Sequence, residues 1–178
     1  FSPISQASAS TDYNAYGSLF QFGRYSDGHE LINWTSSNAS DGAEQANETS
    51  TASPTSTVGH GDYITGSSNW YSGDIFTLWQ GEAGINNPCP QGYRLPTEAE
   101  LGTERDSWSD VTSTGALASP LKITLPGYRV LSNGSLASTG GRGDYWTSTT
   151  GKWQNIGNPS IGTTANYAIG FSIRCIKD

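Results

Sequence analysis

One stretch near the middle of the chain, residues 87–101, constrains the fold more than any other part of the sequence. Within it, Thr97 and Glu100 have the spacing of a capping box, in which each side chain accepts a hydrogen bond from the other residue's backbone N–H. The pattern therefore predicts a helix that begins at Glu98. Side chains spaced at i, i+4 and i+7 share one helical face, and we expect that face to point into the core. Its members are Leu101, Arg105 and Trp108.

The same stretch contains one of the two cysteines of the chain. Cys89 lies in a proline-flanked turn, and Cys175 lies in an apolar run close to the chain end. A disulfide between them would close a long loop, which stabilises a fold by about 4 kcal/mol in the chain-entropy model. Because disulfides persist in oxidising compartments, the pairing predicts an extracytoplasmic protein. Two reduced, buried thiols in a cytosolic protein are the alternative.

The composition favours a loop-rich protein with β-structure. The chain has 178 residues, enough for one domain with a real core, and it combines 22 Gly with 6 Trp, 9 Tyr and no Met. A formal charge of −7 argues against nucleic acid as a partner, because phosphate binding relies on Lys and Arg. No apolar run is long enough for membrane insertion.

Local patterns divide the chain into an arm and a single domain. Residues 1–15 are rich in Ser and Ala and are predicted to form an N-terminal arm or linker, followed by a domain over 16–178. Residues 35–57 are almost entirely polar or small, which predicts a long surface loop. A hairpin is predicted at Asn133-Gly134, and Trp70 and Trp79 are expected to anchor the loops before the helix. Strands are predicted from alternation or β-propensity at 16–25, 121–125, 144–148 and 169–175.

The order of several motifs resembles a known family. The motifs are found at 16–24, 78–81, 87–100, 119–122, 125–129, 132–136, 145–149 and 170–178. Together they resemble the bacterial major paralogous domain of the Fibrobacter type (FISUMP). That family is similar to the variable proteins of diversity-generating retroelements and, distantly, to formylglycine-generating-enzyme domains. The resemblance covers most of the chain from about Tyr16 onward.

The resemblance implies an α+β, C-type-lectin-like fold that is loop-rich, with small antiparallel sheets and one or two helices. It also implies a secreted, cell-surface or virion protein that binds ligands. The expected binding surface lies between the hairpin after Tyr128 and the last strand, which corresponds to residues 142–166. The segment after Tyr145-Trp146 is shorter than the family pattern and rich in Gly, Asn and Thr.

The candidate ligand-binding residues combine aromatic rings with amides and one Arg-Gly-Asp tripeptide. Aromatic and amide side chains are frequent binding anchors, and the polar neighbours Lys152 and Gln154 indicate exposure of Trp153. Alternatively, Tyr145 and Trp146 are core residues of a sheet, and the tripeptide is a chance match to an integrin-type motif. The candidates are Arg142, Asp144, Tyr145, Trp153, Asn155, Asn158, Asn166 and Tyr167.

Metal binding and catalysis have weaker signals. His29 and His60 are the only histidines, and their spacing supplies no zinc ligand set. Aspartates in the loop-rich part could hold calcium, with solvated carboxylates and turn caps as the alternative. The sequence has no nucleophile elbow and no phosphate loop, so we predict a non-enzymatic protein that requires no cofactor. The candidate calcium ligands are Asp27, Asp41, Asp62 and Asp74.

The sequence therefore predicts an extracellular ligand-binding or adhesion domain that recognises a glycan or protein through the loops before its last strand. The alternative is a structural subunit or decoration of a surface filament or virion. In that case, copies of the chain would assemble through the arm and the polar loop.

Overall fold

The computed structural model describes residues 6–38, 44–45, 47–157, 160–164 and 166–178. They form a small, loop-rich α+β domain with two α-helices and several small antiparallel sheets. The helices are α1 (Glu98–Asp106) and α2 (Ser113–Ala118), and a single 3-10 turn covers Tyr13–Ala15. The strands before α1 are β1 (Phe20–Gln21), β2 (Ile32–Asn33), β3 (Glu44–Gln45), β4 (Glu48–Thr49), β5 (Tyr63–Ile64) and β6 (Tyr93–Arg94). Those after α2 are β7 (Tyr128–Arg129), β8 (Leu136–Ala137), β9 (Gly143–Trp146), β10 (Lys152–Ile156), β11 (Ser160–Thr163), β12 (Gly170–Phe171) and β13 (Ile176–Lys177).

Helix α1 begins at the predicted residue, and its capping box is confirmed. The backbone N–H of Glu100 donates to the Thr97 hydroxyl at 3.2 Å, and the Thr97 N–H donates to the Glu100 carboxylate at 2.8 Å. The helix ends at Asp106, so the predicted face is helical only up to Arg105. Leu101 is nevertheless buried together with Trp108, which packs from beyond the helix end.

The predicted disulfide is present and ties the chain end to the region before α1. Cys89 and Cys175 are bonded, with 5.7 Å between their Cα atoms. Beside this bond, β6 pairs antiparallel with β13, so the last residues form a small sheet with the entry to the helix. Both ends of a long loop are thereby fixed at one place.

The predicted strands are shorter than expected, and one is absent. The run at 121–125 forms no strand, because Lys122 has a positive φ of 49° and the backbone N–H of Leu125 donates to Ser10 at 2.8 Å. The hairpin at Asn133-Gly134 is confirmed: it joins β7 to β8, and Gly134 has a φ of 68°. On its other side β7 pairs with β12, which pairs with β1. The result is a four-stranded sheet with the order β1-β12-β7-β8.

A second, three-stranded sheet with the order β11-β10-β9 lies between two apolar clusters. Trp146 of β9 belongs to the larger cluster, which also contains the predicted anchors Trp70 and Trp79. Tyr145 belongs to the smaller cluster together with Ile156 of β10. Alternate residues of a strand point to opposite faces, so this sheet separates the two cores.

The described parts of the arm and the polar loop both contact the domain. Ala7 and Ala15 are buried, while residues 1–5 lie outside the described part of the chain. Within the polar loop, β3 pairs with β2 and β4 pairs in parallel with β5; residues 39–43 and 46 are not described. No helix among the described residues is long and apolar enough to cross a bilayer.

Candidate functional site

The three-stranded sheet carries the candidate site on one of its faces. Its register places Asp144 opposite Asn155, and Asn155 opposite Ser160. Trp153 is two residues before Asn155 and therefore shares its face, and Gly162 lies opposite Trp153. The alternation of strand residues thus gathers an acid, an amide, an indole and a hydroxyl on one surface.

An open pocket of about 530 Å³ lies on this face. Its rim comes from the loop between β8 and β9 and from the facing parts of β10 and β11. We call it the Arg142 pocket, after the one charged residue in the described part of its lining. The described lining residues are Ser138, Thr139, Gly141, Arg142, Trp153, Asn155, Gly157 and Ser160.

The guanidinium of Arg142 is held in place from three sides. Its Nε lies 2.9 Å from Oδ1 and 2.7 Å from Oδ2 of Asp144, and the contact with Oδ1 has hydrogen-bond geometry. Its Cζ lies 5.4 Å from the ring centre of Tyr128 and 5.0 Å from that of Trp153. Cation–π contacts of this kind add to the ion pair, so the guanidinium is preorganised although its side chain is 36% exposed.

Asp144 lies beneath this guanidinium and is fully buried. The amide of Asn155 donates to its Oδ1 at 2.7 Å, whereas Oδ2 accepts no hydrogen bond from the described residues. Burial raises the pKa of Asp144 to about 6, against the opposing effects of the Asn155 hydrogen bond and the Arg142 charge. The carboxyl group of the site is therefore harder to ionise than a solvated aspartate.

Trp153 forms the wall of the pocket and is half-buried. Its ring packs against Phe171 with 5.0 Å between ring centres. A Cβ atom at Gly162 would lie 2.1 Å from Cε2 of Trp153, so only glycine leaves room for the indole at this position of β11. The indole Nε1 is buried and has no hydrogen-bond partner among the described residues. Such a donor is costly to leave unpaired.

The structure brings four of the predicted binding residues together and places three others elsewhere. Arg142, Trp153 and Asn155 line the pocket, and Asp144 supports it from below. Tyr145 is a correction: it is buried on the opposite face of the sheet, where its hydroxyl donates to the Thr124 carbonyl at 3.0 Å.

Two further candidates, Tyr167 and Asn166, are not among the described lining residues of the Arg142 pocket. Tyr167 packs against Phe22 and Phe76, with ring centres 5.5 and 6.0 Å away. Asn166 is exposed, and its N–H donates to the Thr164 hydroxyl at 2.9 Å. Asn158 lies outside the described residues.

The Arg142-Gly143-Asp144 tripeptide does not present an integrin-type motif. That kind of recognition needs the guanidinium and the carboxylate to project from the two ends of a loop. Asp144 is instead fully buried in β9 and paired with Arg142 of the same tripeptide. The tripeptide is therefore a match in sequence but not in presentation.

Sequence reasoning missed the small and glycine residues of the pocket. Ser138 and Thr139 reach the site from the end of the hairpin, and Ser160 reaches it through the β10–β11 register. Ser138 has a positive φ of 57°, which indicates a special turn. The one available signal was the Gly-rich run 140–143, whose place against the sheet no local pattern shows.

A polar cluster elsewhere resembles a metal site but forms its own hydrogen-bond network. Asp27, His29 and Glu30 are the one described group of His, Cys, Asp and Glu in which three ligand atoms lie within 4.8 Å of one another. The N–H of Gln21 donates to Nε2 of His29 at 3.1 Å, so Nδ1 carries the proton and donates to Asp27 at 2.7 Å. A protonated Nδ1 does not ligate a metal, and Arg24 also pairs with Asp27 at 2.8 Å.

The remaining candidate calcium ligands do not join this cluster. Asp74 caps a turn by accepting from the N–H of Phe76 at 2.8 Å, and Asp62 faces His60 at 3.8 Å. Asp41 lies outside the described residues. A calcium site in this part of the protein stays a prediction.

A second pocket of about 630 Å³ lies near the disulfide. Lys122 and Arg174 line it, together with Tyr16, Tyr93 and Cys175. The guanidinium of Arg174 lies 5.5 Å from the ring of Tyr145. We call it the Arg174 pocket.

Comparisons with family models, with curated proteins and with solved structures find no match for this chain.

Proposed function

We propose that this protein is an extracellular ligand-binding or adhesion domain of a cell surface or virion. It recognises a glycan or protein ligand through the Arg142 pocket. The observation that carries the proposal is the preorganised pair of Arg142 and Trp153, which share the wall of an open pocket. Rigid aromatic and guanidinium groups in one pocket are characteristic of binding hot spots, and a stable scaffold with loops at its rim suits recognition.

We further infer a C-type-lectin-like fold of the FISUMP type. This inference is supported by the small α+β architecture and by a disulfide that joins the region before α1 to the chain end. It is also supported by the position of the pocket in the segment before the last strands. The disulfide is compatible with the proposed extracellular location.

The pocket offers a clean test because one of its rim glycines tolerates a side chain. A Cβ atom at Gly141 would meet its nearest atom at 3.6 Å, and the residue is exposed. Gly141→Tyr would therefore fill the pocket mouth without strain. Gly59→Tyr is the matched control, because a Cβ atom at exposed Gly59 would meet nothing within 4 Å.

We expect the wild-type domain to capture ligands in a glycan array or in a pull-down from cell surfaces. Gly141→Tyr should lose this capture, whereas Gly59→Tyr should keep it, with the melting temperatures of both variants close to wild type. Undiminished capture by a folded Gly141→Tyr variant would show that the ligand binds elsewhere.

A further inference from the structure

Arg142 retains most of its hydrogen-bonding capacity. A guanidinium has five N–H donors, and its one hydrogen bond to described residues is that from Nε to Asp144. The four donors on its two terminal nitrogens therefore have no partner in the described part of the chain.

The contact between Nε and Asp144 does not use the edge between the two terminal nitrogens. Nε is directed into the sheet, where Asp144 is fully buried. In a planar guanidinium the Nε–H and the edge between the two terminal nitrogens are different donor sites, so a ligand can approach that edge while Asp144 keeps its contact. Arg142 lines the pocket with a side chain that is 36% exposed, and two aromatic rings restrict its movement.

We propose that the Arg142 pocket binds the carboxylate of an acidic sugar, a uronic acid, through a bidentate contact with the terminal nitrogens of Arg142. This inference rests on the proposed ligand-binding function and names the ligand class for that site. A planar fork of donors matches a carboxylate in two parallel hydrogen bonds, and the pairing is stronger than one between neutral groups.

The rest of the lining favours a sugar over a peptide. Ser138, Thr139 and Ser160 contribute hydroxyl-bearing side chains, and Asn155 contributes an amide. None of the described lining residues has an aliphatic side chain, so an apolar peptide side chain would gain little there. Trp153 supplies an aromatic surface beside these polar groups, and about 530 Å³ lies within the usual size range of ligand pockets.

Asp144 provides a second, independent test of the proposal. Its carboxylate neutralises part of the Arg142 charge and repels an incoming anion. Asp144→Asn keeps an oxygen that can accept from Nε and removes the like charge. We therefore expect this variant to bind a carboxylate several-fold more tightly, whereas a residue with only a structural role would weaken binding when replaced.

The test is a ¹H–¹⁵N NMR titration of the whole domain with D-glucuronate and, in parallel, with neutral D-glucose. Each of the six tryptophans contributes one indole N–H signal, and Trp153→Phe identifies the signal of Trp153. We expect glucuronate to shift this signal and to bind about tenfold more tightly than glucose. Arg142→Lys should lower glucuronate affinity about tenfold and leave glucose affinity unchanged. Arg105→Lys is the control, because Arg105 pairs with exposed Asp106 away from the pocket.

Three results would overturn the carboxylate inference. They are equal affinities for the two sugars, glucuronate binding that Arg142→Lys does not weaken, and shifts that leave Trp153 unchanged. If one of these occurs while Gly141→Tyr still abolishes capture of another ligand, the binding function stands and only the ligand class is wrong. If Gly141→Tyr keeps full capture, the proposed function fails first.

Discussion

Two fully buried side chains, Asp144 and His29, have shifted pKa values. As the pH changes, the two shifts alter the stability of the fold in opposite directions. Burial raises the pKa of Asp144 to about 6. Burial also lowers the pKa of His29 to about 4, against the favourable hydrogen bond to Asp27, because the charged imidazolium is disfavoured in the interior. Asp144 thus resists ionisation, and His29 resists protonation.

The signs of the two contributions follow from linkage. The stability that Asp144 contributes is complete below its unfolded pKa of 3.8 and is lost as the pH rises through about 6. The stability that His29 contributes is present above its unfolded pKa of 6.5 and is lost as the pH falls through about 4. Each effect amounts to about 3 kcal/mol, so they nearly cancel between pH 6 and pH 4.

Asp144→Asn should remove the contribution that opposes that of His29. We expect its free energy of unfolding to fall by about 2 kcal/mol more than that of the wild type between pH 6.5 and pH 4, because only the wild type gains the Asp144 contribution over this range. Urea unfolding at a series of pH values measures both profiles. Parallel profiles for the two proteins would mean that Asp144 titrates normally in the folded state.

At the scale of elements, the region around α1 is fixed by several contacts that act together. Arg94 of β6 forms two hydrogen bonds with Glu100 at 2.7 and 2.8 Å, and a third from Nε to Asp178 at 2.8 Å. The hydrogen bonds from Arg94 lower the pKa of Glu100 to about 2. The helix start, the last residues and the disulfide of Cys89 therefore form one clamp.

Removing the disulfide should loosen this clamp. We expect the double variant Cys89→Ser, Cys175→Ser to lose about 4 kcal/mol of unfolding free energy, because the unfolded chain gains the freedom of an 86-residue separation. Chemical reduction of the wild type should lower its melting temperature in the same direction. Calorimetry that gives the same melting temperature before and after reduction would contradict this account.

Local signals predicted those elements that are stabilised by neighbours in sequence. The capping box at Thr97 and the hairpin at Asn133-Gly134 depend on residues a few positions apart, and both are confirmed. The run at 121–125 alternates like a strand, but its backbone bonds to Ser10, a partner more than a hundred residues away. A local pattern contains no information about such a partner.

The candidate site, too, could be predicted from the sequence only in part. Alternation in β9 places Asp144 and Tyr145 on opposite faces of the sheet, and this placement could have been derived from the sequence. It does not show which face carries the pocket, because Tyr145 and Trp146 both pack into cores on opposite sides of the sheet. Ser160 enters the pocket only through the register of β10 with β11, which the sequence does not determine.

At the scale of the whole molecule, net charge and local charge act in opposite directions. The formal charge of −7 repels an acidic glycan at long range. At physiological ionic strength this repulsion is screened beyond about 8 Å, so the short-range contacts of the pocket decide binding. Among the described residues of that lining, Arg142 is the one that carries a charge, so the proposed recognition of an anion depends on this cation.

The central claim, that ligands bind at the Arg142 pocket, is tested most directly by hydrogen exchange of the domain with and without its captured ligand. We predict that the ligand slows exchange of backbone amides in residues 138–142, 152–157 and 160–163, and leaves α1 and α2 unchanged. Slowed exchange confined to residues 88–93 and 173–175, around the Arg174 pocket, would contradict the account.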